Sequence, residues 1–168
     1  MEQPTVTLQN VDFRDGPVEG VMIRPLRRFD DGRGWLIELY RQDELEPACH
    51  PAMAYVSQTL PGVVRGPHEH REQTDCFAIV GPGDFRVFLW VSRRDSPTFG
   101  HRQVFVAGES NRLLVTVPPG VVHAYKNISQ VPGLVFNSPN RLYRGTGKTE
   151  PVDEIRYEEV ADCVFRVE

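Results

Sequence analysis

At 168 residues, 40% of them hydrophobic, the chain has the length of one domain spanning residues 1–168 and enough apolar side chains to bury a core. Its formal net charge is −4, and the 19 Lys and Arg residues are scattered, so no basic stripe offers itself to nucleic acid. The polar opening MEQPTVTLQN lacks the basic-then-apolar pattern of a secretory leader, and no apolar run approaches the roughly 20 residues needed to span a bilayer; a cytoplasmic setting with no membrane segment is expected.

In chain order, runs of β-branched and aromatic residues alternate with turn residues. TVTLQ (5–9), VMIRPL (21–26) and GWLIELY (34–40) read as the first strands. RQDELEP (41–47) is the one stretch with room for a helical turn. MAYVSQ (53–58), CFAIV (76–80), DFRVFLWV (84–91), RQVFVA (102–107) and RLLVTV (112–117) complete the predicted set. Fourteen glycines and fourteen prolines break helices almost everywhere. Many short strands at this spacing predict an all-β sandwich, jelly roll or closed barrel. Cys49, Cys76 and Cys163 are odd in number and widely spaced, which fits neither a disulfide framework nor a paired-cysteine zinc site. Cys76 and the aromatics Phe85, Phe88, Trp90, Phe99 and Phe105 are most simply core.

Two stretches carry chemistry. In GVVRGPHEHREQTD (62–75), His68 and His70 stand two residues apart, and Asp75 follows. On a strand, residues two apart share a face, so both imidazoles can project into one interior. In PPGVVHAYKN (118–127), Pro118, Gly120, His123 and Asn127 have the spacing Pro-x-Gly-x-x-His-x-x-x-Asn. Together these match the two motifs of the cupins, with an aspartate near the usual glutamate position, and they favour a cupin jelly-roll β-barrel. Three converging imidazoles, with Asp75 or Gln73, would suit a first-row divalent metal. The bland alternative is a set of interior histidines with satisfied hydrogen bonds.

A second resemblance covers more of the chain. RRFDDGRGWLIELY, GVVRGPHEH, SPTFG, ESNRLLVTVPPGVVHAY and EIRYEE occur in this order between about Arg27 and Glu159. The ordered set resembles the dTDP-4-dehydrorhamnose 3,5-epimerase family, itself a cupin-fold group. The resemblance implies a homodimeric isomerase that needs no cofactor and acts on a nucleotide sugar. In a 4-keto hexose, the hydrogens on C3 and C5 are both α to the carbonyl, so a positioned base can remove either and a proton can return to the other face. By family position, His68 is that base and Arg65 contacts the nucleotide phosphates. Arg33 and Glu38 fall on substrate-binding positions, although a strand ion pair explains them as well. His123 falls on the second active-site histidine.

The departures are as specific. Phe136, in GLVFN, stands where the family has its proton-donating tyrosine, which leaves Tyr125 or Tyr143 as substitutes. Neither Asp153 nor Asp162 matches the aspartate that the family pairs with its base, and His70 replaces a glutamine. Three readings therefore stand: an epimerase, a metal-dependent cupin enzyme holding its ion through His68, His70, His123 and Asp75, and a non-catalytic sugar-binding relative.

Overall fold

The computed structural model describes residues 11–168, so the strand predicted at TVTLQ lies outside the described residues. Thirteen strands follow: β1 (Arg14–Asp15), β2 (Met22–Pro25), β3 (Arg28–Asp31), β4 (Gly34–Ile37), β5 (Tyr55–Thr59), β6 (Val64–Glu69), β7 (Asp75–Ile79), β8 (Asp84–Val91), β9 (His101–Gly108), β10 (Leu113–Val117), β11 (Val121–Asn127), β12 (Gly133–Asn137) and β13 (Ile155–Arg156). A 3-10 turn at Gln42–Glu44 occupies the segment in which a helical turn was predicted. Every other predicted strand coincides with an observed one to within a few residues. No helix among the described residues is long and apolar enough to cross a membrane.

The strands form a six-stranded sheet in the order β1-β9-β8-β11-β6-β13 and a five-stranded sheet in the order β2-β10-β7-β12-β5. Alternation along the strands sends Phe85, Val87, Leu89 and Val91 of β8 inward, against Phe77 and Ile79 of β7 and Leu113, Val115 and Val117 of β10. The main core therefore lies between the two sheets. The opposite faces are covered too. Phe88, Trp90, Val122 and Ala124 pack under Phe165 on the outside of the larger sheet, and Cys76, Ala78 and Leu114 pack under Leu45 on the outside of the smaller one. That double burial explains why DFRVFLWV and LLVTV read as continuous apolar runs rather than alternating ones. The expected closed barrel is replaced by two facing sheets; among the described residues no strand pairing joins them.

One irregularity positions the site. β6 and β11 pair His68 with His123 but Arg65 with Tyr125, so β6 carries an extra residue at Gly66-Pro67. Pro67 lacks the N–H that a regular ladder would need. Gly66 has φ +83°, and a Cβ there would lie 2.5 Å from the His123 carbonyl oxygen, so only glycine allows the two strands to approach. β6, β11 and β13, on one sheet, and β5 and β7, on the other, line a cavity of about 970 Å³.

Candidate active site

The three histidines predicted to converge do so. His68 and His70 line the cavity, and His123 is buried behind them. The ring centroids of His68 and His123 lie 4.4 Å apart, edge to face, and His70 lies 5.9 Å from His68 and 6.0 Å from His123. Between His68 and His70, Glu69 points the opposite way, where Ser92 Oγ donates to its Oε2 (2.7 Å) and Tyr157 OH to its Oε1 (2.5 Å). The period-two reading of HEH is correct.

Asp75, which opens β7 on the facing sheet, joins this cluster as its hub. Its Oδ2 lies 3.2 Å from His70 Nε2 and 3.2 Å from His123 Nε2. Its Oδ1 accepts from Gln73 Nε2 (2.9 Å) and Asn137 Nδ2 (2.8 Å). Burial works to raise the Asp75 pKa, but the two imidazoles override it and hold the carboxyl well below its usual range. Burial likewise works against charge on His70, yet Asp75 and the Asp153 carbonyl beside Nδ1 raise its pKa from 6.5 to about 9. His70 is therefore a cation at neutral pH. His68 is the converse: burial, then the neighbouring His123, lower its pKa to about 2 and keep its ring neutral.

Glu154 supplies what the sequence did not reveal. β13 pairs with β6, Arg156 opposite His68, and this register brings Glu154 Oε1 to 3.8 Å from His68 Nδ1. The carboxylate is itself held by Arg156 Nε at 2.7 Å. A carboxylate on the Nδ1 side favours the tautomer with its proton there, which leaves the Nε2 lone pair as the basic one. Asp153, next in sequence, does something else: its carboxylate accepts from the backbone N–H groups of Arg71, Glu72 and Gln73 at 2.9 to 3.0 Å and so fixes the turn that follows His70. Asp162 lies outside the cavity lining. The signal in the sequence was the acidic run of DEIRYEE, but only pairing of β13 shows which carboxylate faces the base.

Three further placements bear on the site. Arg33 and Glu38 do not line the cavity of their own chain. Arg33 sits on the β3–β4 hairpin, 91% exposed and paired with Asp31 at 2.6 Å, and Glu38 lies 3.7 Å from Arg41. The Arg33–Glu38 ion pair that would explain both residues structurally is also absent among the described ion pairs. Phe136 does not occupy the position of a proton donor: strand alternation turns it to the outer face of the smaller sheet, onto the cluster of Leu45, Cys76, Ala78 and Leu114, while its neighbours Val135 and Asn137 face inward. Arg65 does line the cavity, donating from Nε to Thr59 Oγ1 (2.9 Å) and from Nη2 to the Gln58 carbonyl (2.8 Å).

The metal reading also weakens. One nitrogen from each of His68, His70 and His123 falls within 4.8 Å of the others, and His123 Nε2 has no aligned hydrogen-bond partner. Metal–nitrogen bonds of about 2.1 Å would draw such nitrogens to roughly 3.4 Å. More tellingly, His70 Nδ1 faces the Asp153 carbonyl, and its Nε2 is engaged by Asp75 Oδ2 and Gln73 Nε2, each at 3.2 Å, so neither ring nitrogen is free for a shared point. Asp75 holds two imidazoles instead of serving as a fourth ligand. The donor set does not fit a metal without dismantling the Asp75 contacts.

The sequence profile of the dTDP-4-dehydrorhamnose 3,5-epimerase family matches residues 15–148. The chain belongs to this family. As a member of the epimerase family it is an isomerase. The chain is 39% identical over 127 residues to the probable low-salt glycan biosynthesis epimerase Agl13 of Haloferax volcanii, covering 75% of this chain and 81% of that one. It is 36% identical over 117 residues to the spore coat polysaccharide biosynthesis protein SpsL of Bacillus subtilis, covering 68% and 75%. Among solved structures, a dTDP sugar isomerase from Desulfovibrio desulfuricans superposes with a TM-score of 0.73 at 27% identity, covering 83% of this chain and 84% of that one. The two-sheet architecture is thus the cupin-type fold of the epimerase family.

Proposed function

We propose that the protein epimerises a 4-keto-6-deoxy hexose carried on a nucleoside diphosphate, dTDP in the first instance, by removing a proton α to the keto group. The observation that carries this reading is an imidazole, His68, set in the wall of a large cavity with a carboxylate oxygen of Glu154 3.8 Å from its Nδ1. His68 Nε2 takes the proton, the C–H electron pair moves into the enolate, and Glu154 steadies the imidazolium that forms. His123 backs the base ring and is anchored through Nδ1 to the Val121 carbonyl at 3.1 Å. Arg65 lines the cavity with Arg141, Arg144 and Lys148, and these cations suit the diphosphate. No step calls for a cofactor.

The working molecule in this reading is a homodimer with a cytoplasmic place of work. Phe29, Trp35 and Leu36 leave the β3–β4 hairpin with exposed apolar side chains, and a second copy that covers them would also carry Arg33 and Glu38 towards a cavity they cannot line in their own chain. A monomer in light scattering would remove that part. For the chemistry, incubation of dTDP-4-keto-6-deoxyglucose with the protein in heavy water should place deuterium at C3, C5 or both, and His68→Asn should abolish it. No deuterium entry into this or several other 4-keto sugar nucleotides would overturn the proposal.

A further inference from the structure

Epimerisation needs a proton donor on the face of the sugar opposite the base, and with Phe136 turned outward that donor has to come from elsewhere. Three tyrosines line the cavity: Tyr55, Tyr125 and Tyr143. Tyr125 stands on β11, in the same sheet as His68, with its ring wedged edge-on against Phe77 and Phe85 and its hydroxyl 3.2 Å from Ser57 Oγ. Tyr143 belongs to the loop after β12, outside both sheets. Tyr55 alone rises from the facing sheet, at the start of its edge strand β5.

The hydrogen bonds around Tyr55 fix where its proton goes. Asn137 Oδ1 accepts from the Cys76 backbone N–H at 3.0 Å, which settles the orientation of the amide. Asn137 Nδ2 therefore carries both amide hydrogens, one donated to Asp75 Oδ1 (2.8 Å) and one to the Tyr55 hydroxyl oxygen (2.9 Å). The Tyr55 oxygen is an acceptor in the wall, and its own hydrogen is left to the cavity. We infer that Tyr55 is the catalytic acid of this chain, delivering its phenolic proton to the enolate carbon on the face opposite His68. The inference rests on the epimerase reading proposed above.

In that step a new C–H bond forms at the α carbon as the enolate electron pair returns from oxygen, and the Tyr55 O–H bond breaks to leave a phenolate. Asn137 donates a hydrogen bond to that phenolate. The proton gained by His68 and the proton lost by Tyr55 are exchanged with solvent through the open cavity, so the cycle closes without an oxidant or co-reactant. The groups facing the hydroxyl are Asp75, Tyr125 and Glu154, and burial with these neighbours raises the phenol to about 12, which keeps it protonated and ready to donate at neutral pH.

The test separates removal of the proton from inversion. With dTDP-4-keto-6-deoxyglucose in heavy water, Tyr55→Phe should keep deuterium entry at the α carbon within a few fold of the parent while inversion falls by roughly 10² to 10⁴. Unchanged inversion in Tyr55→Phe, loss of exchange together with inversion in a folded variant, or loss of inversion in Tyr143→Phe with Tyr55→Phe active, would each overturn the assignment. If the parent itself shows no exchange, it is the epimerase reading that has failed, and this inference falls with it. Should Tyr55→Phe not fold, 3-fluorotyrosine placed at position 55 keeps the shape and acidifies the phenol; the alkaline limb of the inversion profile should then move to lower pH, and an unmoved limb overturns the inference.

Discussion

Stability of the fold should peak near pH 6.5 and decline on both sides, because two neighbouring histidines are shifted in opposite directions. His70 is raised from 6.5 to about 9 in the folded protein. Its contribution is complete below 6.5, where both folded and unfolded chains hold the proton, and is lost as pH climbs through about 9. The interval from 6.5 to about 9, at roughly 1.4 kcal/mol per pH unit, sets a ceiling of about 3.5 kcal/mol for His70 and Asp75 counted once as a pair. Against a typical total of roughly 5–15 kcal/mol this is a large share. His68, lowered to about 2, acts on the other side: its contribution is present above 6.5 and shrinks as acid protonates the unfolded chain first. Urea unfolding at fixed pH would read both limbs. With a slope of about 2 kcal/mol per molar, the midpoint should fall by roughly 1 to 2 M between pH 6.5 and 9. The series should stop at pH 9, before the thiols of Cys49 and Cys76, which burial raises, begin to contribute. In His70→Gln the alkaline limb should flatten while stability drops throughout, since Asp75 loses a counter-charge. A flat parent curve over this window, or the same decline in His70→Gln, would refute the reasoning.

Three other outcomes are expected. Glu154→Gln should slow deuterium entry by on the order of tenfold, less than the roughly 10² to 10⁴ lost with the base, because Gln can still orient Nδ1 but cannot balance an imidazolium. Phe136→Tyr should give no gain in inversion and should destabilise the protein by about 1–3 kcal/mol in thermal unfolding, because its hydroxyl would enter the apolar cluster of Leu45, Cys76, Ala78 and Leu114 on the outer face. Elemental analysis after purification without chelator should find no stoichiometric divalent metal, and chelator should leave turnover unchanged.

Much of the fold was legible because strands with two buried faces are written as dense apolar runs, as in DFRVFLWV. β6, β11 and β12 were harder to see as strands: VRGPHE carries a glycine and a proline at its bulge, VVHAYKN mixes polar residues into the core face, and GLVFN opens on a glycine directly after a proline. The histidine cluster was readable from spacing alone, since a period of two needs no tertiary information. Glu154 was not, because its place beside His68 depends on a two-residue strand pairing, Ile155 with Glu69 and Arg156 with His68, between segments far apart in the chain. Phe136 misled for a related reason: matching a motif by order says nothing about which face of the strand a residue takes, and a one-residue offset turns the side chain to the other side of the sheet. Tyr55 looked like an ordinary strand aromatic until Asn137 gave its oxygen a donor.

The Asp75 hub has an evolutionary reading. A fully buried carboxylate that binds two imidazoles cannot lose one of them cheaply, nor can His70 keep its charge without Asp75, so substitutions at either position should be tolerated only when both change. Histidine at 70 and aspartate five positions on then form a single inherited character rather than two independent ones. Relatives that carry the pair should share this site's charge arrangement whatever their overall identity, and those with glutamine at the first position should carry something other than an unpaired acid at the second.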